Sequence, residues 1–143
     1  MEKQHIYIFS NSQHPEIVKV GKTTKHPEIR AKELSGTGTV GKWQVEWYMV
    51  VPDAEIAEKT AHYLLKEFRG EPKKEFFKIK TLEASTIIEK KLVEFFEIQK
   101  PVIWQSEGLK KSTLLREALE KLSRQTKILE VEIAKKTSRL EKK

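Results

Sequence analysis

QHIYIFSNSQHPEIVKVG, residues 4–21, is the stretch whose reading decides the fold. Its two ends, QHIYIFS (4–10) and IVKVG (17–21), are rich in β-branched and aromatic residues, and between them lie Asn, Ser and Pro, which favour a turn. The segment predicts a β-hairpin. Outward from it, Pro27 suits the first turn of a helix, PEIRAKELS (27–35) continues it, and Gly-Thr-Gly at 36–38 stops it. WQVEWYMVV (43–51) alternates Trp43, Val45 and Trp47 with Gln44 and Glu46, which predicts a third strand with those three residues on one buried face. Asp53 is placed to cap a helix over 54–68, where Ala54, Ala57, Ala61, Leu64, Leu65 and Phe68 form an apolar stripe at helical spacing. After RGEPKK (69–74), EFFKI (75–79) reads as a short strand or edge segment. Residues 82–98 read as a further amphipathic helix, and Pro101 as the end of the compact part.

These elements predict an α/β (α+β) chain in three parts. Residues 1–80 form a domain with a small, mostly antiparallel three-stranded sheet flanked by helices; 81–107 add a helix and linker; 108–143 form a basic, coiled-coil-like amphipathic helix. In that last part Leu115, Leu119, Leu122, Thr126, Leu129, Ile133, Lys136 and Leu140 follow alternating steps of four and three. The seam offers a contact for a homodimer, or for folding back on the domain. The net charge is +7, and residues 108–143, with 11 Lys/Arg against 5 Asp/Glu, hold nearly all of it. So lopsided a distribution points to a polyanion such as DNA, with a solvated lysine-rich helix as the plain alternative. The absence of cysteine excludes disulfides, zinc-thiolate sites and cysteine nucleophiles, and fits a cytoplasmic protein. No apolar run approaches the roughly 18 residues of a membrane span, so no membrane partner is expected.

The order of elements carries more. A strand with Ile6-Tyr7 is followed by one ending Lys19-Val20-Gly21-Lys22-Thr23, then by a helix with Arg30 and a later helix with Glu58. Over residues 4–79 this resembles the GIY-YIG nuclease superfamily. His5-Ile6-Tyr7 stands at the first signature, Lys19-Val20-Gly21 at the second, Arg30 at the helix arginine and Glu58 at the metal-binding glutamate. YIFSN (7–11), VKVGKTT (18–24), PEIRAKELS (27–35), AEKTAHYLLKEF (57–68) and EFF (75–77) are similar to the phage-encoded DNA-binding and meiotically up-regulated nuclease-like branches. The resemblance implies a metal-dependent DNA endonuclease. Tyr7 would position or deprotonate the attacking water, Arg30 would stabilise the phosphorane, Glu58 would bind one Mg²⁺ or Mn²⁺, and Gly21 would let the strand end approach the sugar-phosphate backbone. Phosphodiester hydrolysis needs such a set: a proton acceptor, a cation for developing charge, and a metal held by a carboxylate.

Two positions depart from the superfamily pattern. Lys19 replaces the usual tyrosine of the second signature, and Leu34 stands where a histidine or tyrosine usually follows the arginine. The proton-transfer group is therefore open between His62, one turn beyond Glu58 on the same side of its helix, and Lys19. Lys22, Lys25 and Lys32 are expected around the site as phosphate contacts. Each residue also has a plainer reading: Tyr7 as a core aromatic, Arg30 as an ion-pair partner of Glu33, Glu58 and His62 as surface polar groups. Two other functions fit the same scaffold, a catalytically silent DNA-binding module and a coiled-coil assembly protein.

Overall fold

The computed structural model describes residues 3–36, 41–70 and 75–141. Most of the expected Gly-Thr-Gly helix stop and of the RGEPKK segment lies outside the described residues. The chain divides into two compact units, Met1–Leu109 and Lys110–Lys143.

In the first unit, β1 (Gln4–Asn11) and β2 (His14–Thr23) form the hairpin, with Tyr7 opposite Gly21 and Phe9 opposite Lys19. Asn11 shapes its turn, since the side-chain oxygen accepts a hydrogen bond from Gln13 N at 2.9 Å. The first helix, α1 (Pro27–Leu34), starts at a proline and is capped by His26, whose Nδ1 accepts from Glu28 N at 3.1 Å. Strand β3 (Trp43–Val51) pairs with the other edge of β1, and Asp53 caps α2 (Ala54–Leu64) through Ile56 N at 3.1 Å. A single 3-10 turn (Lys66–Phe68) leads to β4 (Phe76–Phe77), then α3 (Thr81–Phe95), β5 (Ile103–Gln105) and α4 (Glu107–Glu141).

The expected three-stranded sheet is corrected by this topology: the sheet has five strands, in the order β4-β2-β1-β3-β5, all antiparallel. The additional strands are edges of two and three residues, too short to show an alternation of their own, and the ladders of β2 and β3 hold them in place. The chain thus continues in the sheet beyond Pro101, and Val50 N donates to Val102 O at 3.0 Å.

The single buried face expected for β3 is also corrected. Ile8 pairs with Trp47 and Phe9 with Val45, so Glu46 is one residue too many and the strand bulges. Because strand side chains alternate with period two, one extra residue moves everything beyond it to the opposite face. Trp47 and Met49 join Ile6, Ile8, Val18 and Val20 under α2 and α3, while Trp43 and Val45 lie with Tyr7 and Phe9 under Ala31 of α1. The sheet is covered on both faces, and Tyr7 points towards α1.

Helix α4 is 35 residues long and begins at Glu107, before the heptad pattern is legible; its early residue Leu109 is buried in the first unit's core. Leu115, Leu119, Leu122, Leu129, Ile133 and Leu140 are all exposed.

Candidate functional site

The outer edge of β2 organises the site. Strand β4 reaches only to Phe76, opposite Lys19, and the next outward-facing peptide group is that of Val20. Its N–H donates to Glu75 O at 3.0 Å, and its carbonyl oxygen lies 2.8 Å from His62 Nε2 of α2. A carbonyl can only accept, so Nε2 carries the proton and, in the neutral ring, Nδ1 keeps its lone pair. The imidazole stands where a longer β4 would have supplied its next ladder donor. It also packs on Phe77, ring centroids 5.4 Å apart.

Across the hairpin the Tyr7 ring fills the space that a side chain at Gly21 would take. A Cβ there would lie 2.6 Å from Tyr7 Cζ and closer still to the hydroxyl oxygen. Glycine is therefore required by the tyrosine, and the closeness expected between Gly21 and a sugar-phosphate backbone is taken up by the ring. Gly21→Ala is expected to cost about 1–3 kcal/mol, since Tyr7 must leave its rotamer or β2 must shift. A denaturation midpoint equal to that of the parent would show that the ring has room to move.

Tyr7 is only 2% exposed. Burial pushes its hydroxyl up to about 12; the charge and hydrogen bond of Arg30 oppose that rise, while Glu75 and Glu58 add to it. One hydroxyl thus lies within electrostatic reach of α1 through Arg30, of α2 through Glu58, and of the residue before β4, Glu75. Lys19, buried on the same face of β2, forms an ion pair with Glu75, and its ammonium lies 5.7 Å from the Phe76 ring centroid. The Lys19 hydrogen bond holds the Glu75 carboxyl below the usual carboxylate range against the opposing effect of burial, and the charges of Lys19, His62 and Arg30 reinforce it. Lys19, Arg30, Glu58 and His62 thus fall within electrostatic reach of Tyr7 or of Glu75, and with Tyr7 they come from the four elements β1, β2, α1 and α2.

The T5orf172 domain model matches residues 4–100. The chain belongs to the T5orf172 domain family. That family comprises nuclease-like and DNA-binding domains, and DNA is the partner it fits. No curated protein and no solved structure matches the chain significantly. Membership of the GIY-YIG superfamily, expected from the motif order, is corrected by this match to a different family. The order of small strands and helices is a fold-level pattern, and it does not by itself separate families or assign function. In the T5orf172 domain the roles of individual residues therefore rest on geometry.

That geometry separates the expected contact residues. Lys22 and Lys25 line, with Arg30, a cleft of about 560 Å³ whose wall also carries Glu33, Asp53 and Glu55. Within it Glu33 accepts from Lys25 at 2.6 Å and from Arg30 at 3.2 Å, so the local ion pair read as Arg30's plainer role is present, alongside the influence of the Arg30 charge on Tyr7. Lys32 is not in this group. Two residues along a helix is a rotation of about 200°, and Lys32 lines a separate cleft of about 620 Å³ with Trp43, Glu46 and Ser106.

Glu75 is a residue of the site that no spacing in the sequence marks. Its only sequence signal is its place at the head of EFF (75–77), immediately before an edge strand. Among the described residues no three His, Asp or Glu side chains gather to hold a metal ion, and no helix is long and apolar enough to cross a membrane.

Proposed function

We propose that this T5orf172 domain is a DNA endonuclease that hydrolyses phosphodiester bonds with the help of Mg²⁺ or Mn²⁺. The observation that supports the reading is that Tyr7 lies within the field of Arg30 and Glu58, while Lys19 and His62 flank the same stretch of the β2 edge through Glu75 and the Val20 carbonyl. Glu58 is the half-buried carboxylate available to a metal, while Glu75 is engaged with Lys19. One protein carboxylate, with water and substrate phosphate completing the shell, is an ordinary way to hold Mg²⁺. When bound, the ion supplies Lewis-acid stabilisation of the phosphoryl and leaving oxygens.

The chain's own groups divide the remaining work. Arg30 presents a fixed cation to charge that develops on phosphorus-bound oxygen during attack. A tyrosine pushed up to about 12 is protonated at neutral pH, so Tyr7 acts as a neutral hydroxyl within electrostatic reach of Arg30. Proton acceptance from water then falls to His62, whose ring is oriented by the Val20 carbonyl and whose Nδ1 lone pair remains for the task. Lys19 contributes charge, since its ammonium is paired with Glu75. Lys22 and Lys25 supply the salt-dependent attraction to the DNA backbone that sequence-independent binding requires.

Incubating the purified protein with supercoiled plasmid and Mg²⁺ or Mn²⁺, against EDTA, tests the reading. Nicking that stops with EDTA supports it. Salt-sensitive binding without nicking under either metal would replace it with the silent binder.

For the second unit we propose a homodimer through α4. Its Leu115, Leu119, Leu122, Leu129, Ile133 and Leu140 repeat in steps that keep one stripe facing a partner helix, and all six are exposed in the single chain. Ending the chain after Leu109 should leave the first unit folded, because its buried core ends at that residue. Solution mass should fall from dimer to monomer, and salt-sensitive DNA binding should weaken as the basic segment is lost. A full-length protein that sediments as a monomer at high concentration ends the dimer proposal.

A further inference from the structure

The ion pair at the centre of the site is asymmetric. The Lys19 side chain is 9% exposed and that of Glu75 is 49% exposed. Lys19 projects from an internal position of β2, with Phe76 beside it, and has little room to turn away. Glu75 is tied at its backbone, through its carbonyl to Val20 N, while its side chain stands at the surface and can swing into water. A buried ammonium left without an anion is costly, and an exposed carboxylate loses little on returning to solvent. Of the two partners, Glu75 is the one that can be exchanged.

The place its carboxylate occupies suits an anion. The buried Lys19 ammonium pairs directly with it, and the fixed charge of Arg30 adds to the positive field there. Phosphate and carboxylate oxygens accept the same short, charge-assisted hydrogen bonds from ammonium and guanidinium donors. Nothing in a small α+β core requires a lysine at an inward-facing strand position; an apolar residue would pack there without a partner. The lysine is explained by an anion that comes and goes.

We infer that Glu75 is an internal stand-in for a phosphodiester group: in the free protein its carboxylate occupies the anion position at the buried Lys19 ammonium, and a phosphate of bound DNA displaces it. The inference rests on the DNA reading above. It assigns Lys19 to holding the phosphate and Glu75 to keeping that site closed until DNA arrives.

The experiment is a double-mutant cycle on the full-length chain, with Glu75→Gln, Lys19→Gln and the double variant titrated against a short labelled DNA duplex in EDTA at low salt. Glu75→Gln is expected to bind about tenfold more tightly than the parent, because DNA no longer competes with an internal anion. The gain should vanish when Lys19 is also replaced. Binding that is unchanged or weaker in Glu75→Gln overturns the inference and points instead to a carboxylate needed by the site. A tenfold gain that persists without Lys19 also overturns it, since the effect is then the general loss of a negative charge. Cooperative melting of each variant is checked first. Should Glu75→Gln fail to fold, Glu75→Asp, one methylene shorter, takes its place with an expected gain of a few fold, again dependent on Lys19. A parent that binds DNA with no gain in the variant sinks the stand-in alone, whereas a parent and variant that both fail to bind sink the DNA reading with it.

Discussion

Arg30→Ala is expected to slow DNA cleavage by roughly 10²-fold or more while DNA affinity changes by no more than a few fold. The guanidinium makes its strongest interaction with charge that exists only during attack, so its loss raises the barrier far more than it weakens ground-state binding. Its ion pair with Glu33 is partly exposed at both ends and contributes little to stability, which keeps the variant folded. Tyr7→Phe separates positioning from direct chemistry. It preserves the ring that fills the space over Gly21 and deletes only the hydroxyl, which lies within electrostatic reach of Arg30. The single variant should lose part of the activity, about tenfold, and combining it with Arg30→Ala should slow the reaction no further than Arg30→Ala alone. An additive loss in the double variant would give Tyr7 a role of its own. Full activity in Tyr7→Phe would remove it from the mechanism and leave it a core aromatic.

Glu58→Gln is expected to abolish nicking at metal concentrations that saturate the parent, with partial recovery only at much higher Mn²⁺. The substitution keeps size and polarity and removes the charge, and a divalent ion on one protein carboxylate depends on that charge. DNA binding in EDTA should survive, because the lysines and Arg30 are untouched. Metal-titrated plasmid nicking reads the effect. Unchanged activity at the parent's metal requirement would move the ion elsewhere or dispense with it.

The local elements of this chain were legible because each carries a signal within a short window. The hairpin shows two β-rich runs around an Asn-Ser-Pro turn, α1 begins at a proline, α2 follows a capping aspartate, and the α4 seam repeats every three or four residues. The order of those elements points to a nuclease-like chain but not to its family, which is the T5orf172 domain, since a sequence of strands and helices is shared more widely than one family. Residues that later meet, Tyr7, Lys19, Arg30, Glu58 and His62, could be nominated one by one from the resemblance.

What tertiary structure alone decided is everything that depends on a distant partner. Strands β4 and β5 are too short to announce themselves and exist where β2 and β3 offer an edge. The reversal of faces along β3 comes from a bulge at Glu46, visible only in the pairing with β1. The site has the same origin: His62 reaches Val20 from 42 positions away and Glu75 reaches Lys19 from 56, spans that no local pattern of propensity or spacing contains. A helical or strand period reports which face a residue shares with its near neighbours, whereas the field around a buried ammonium is set by whichever groups the fold brings against it.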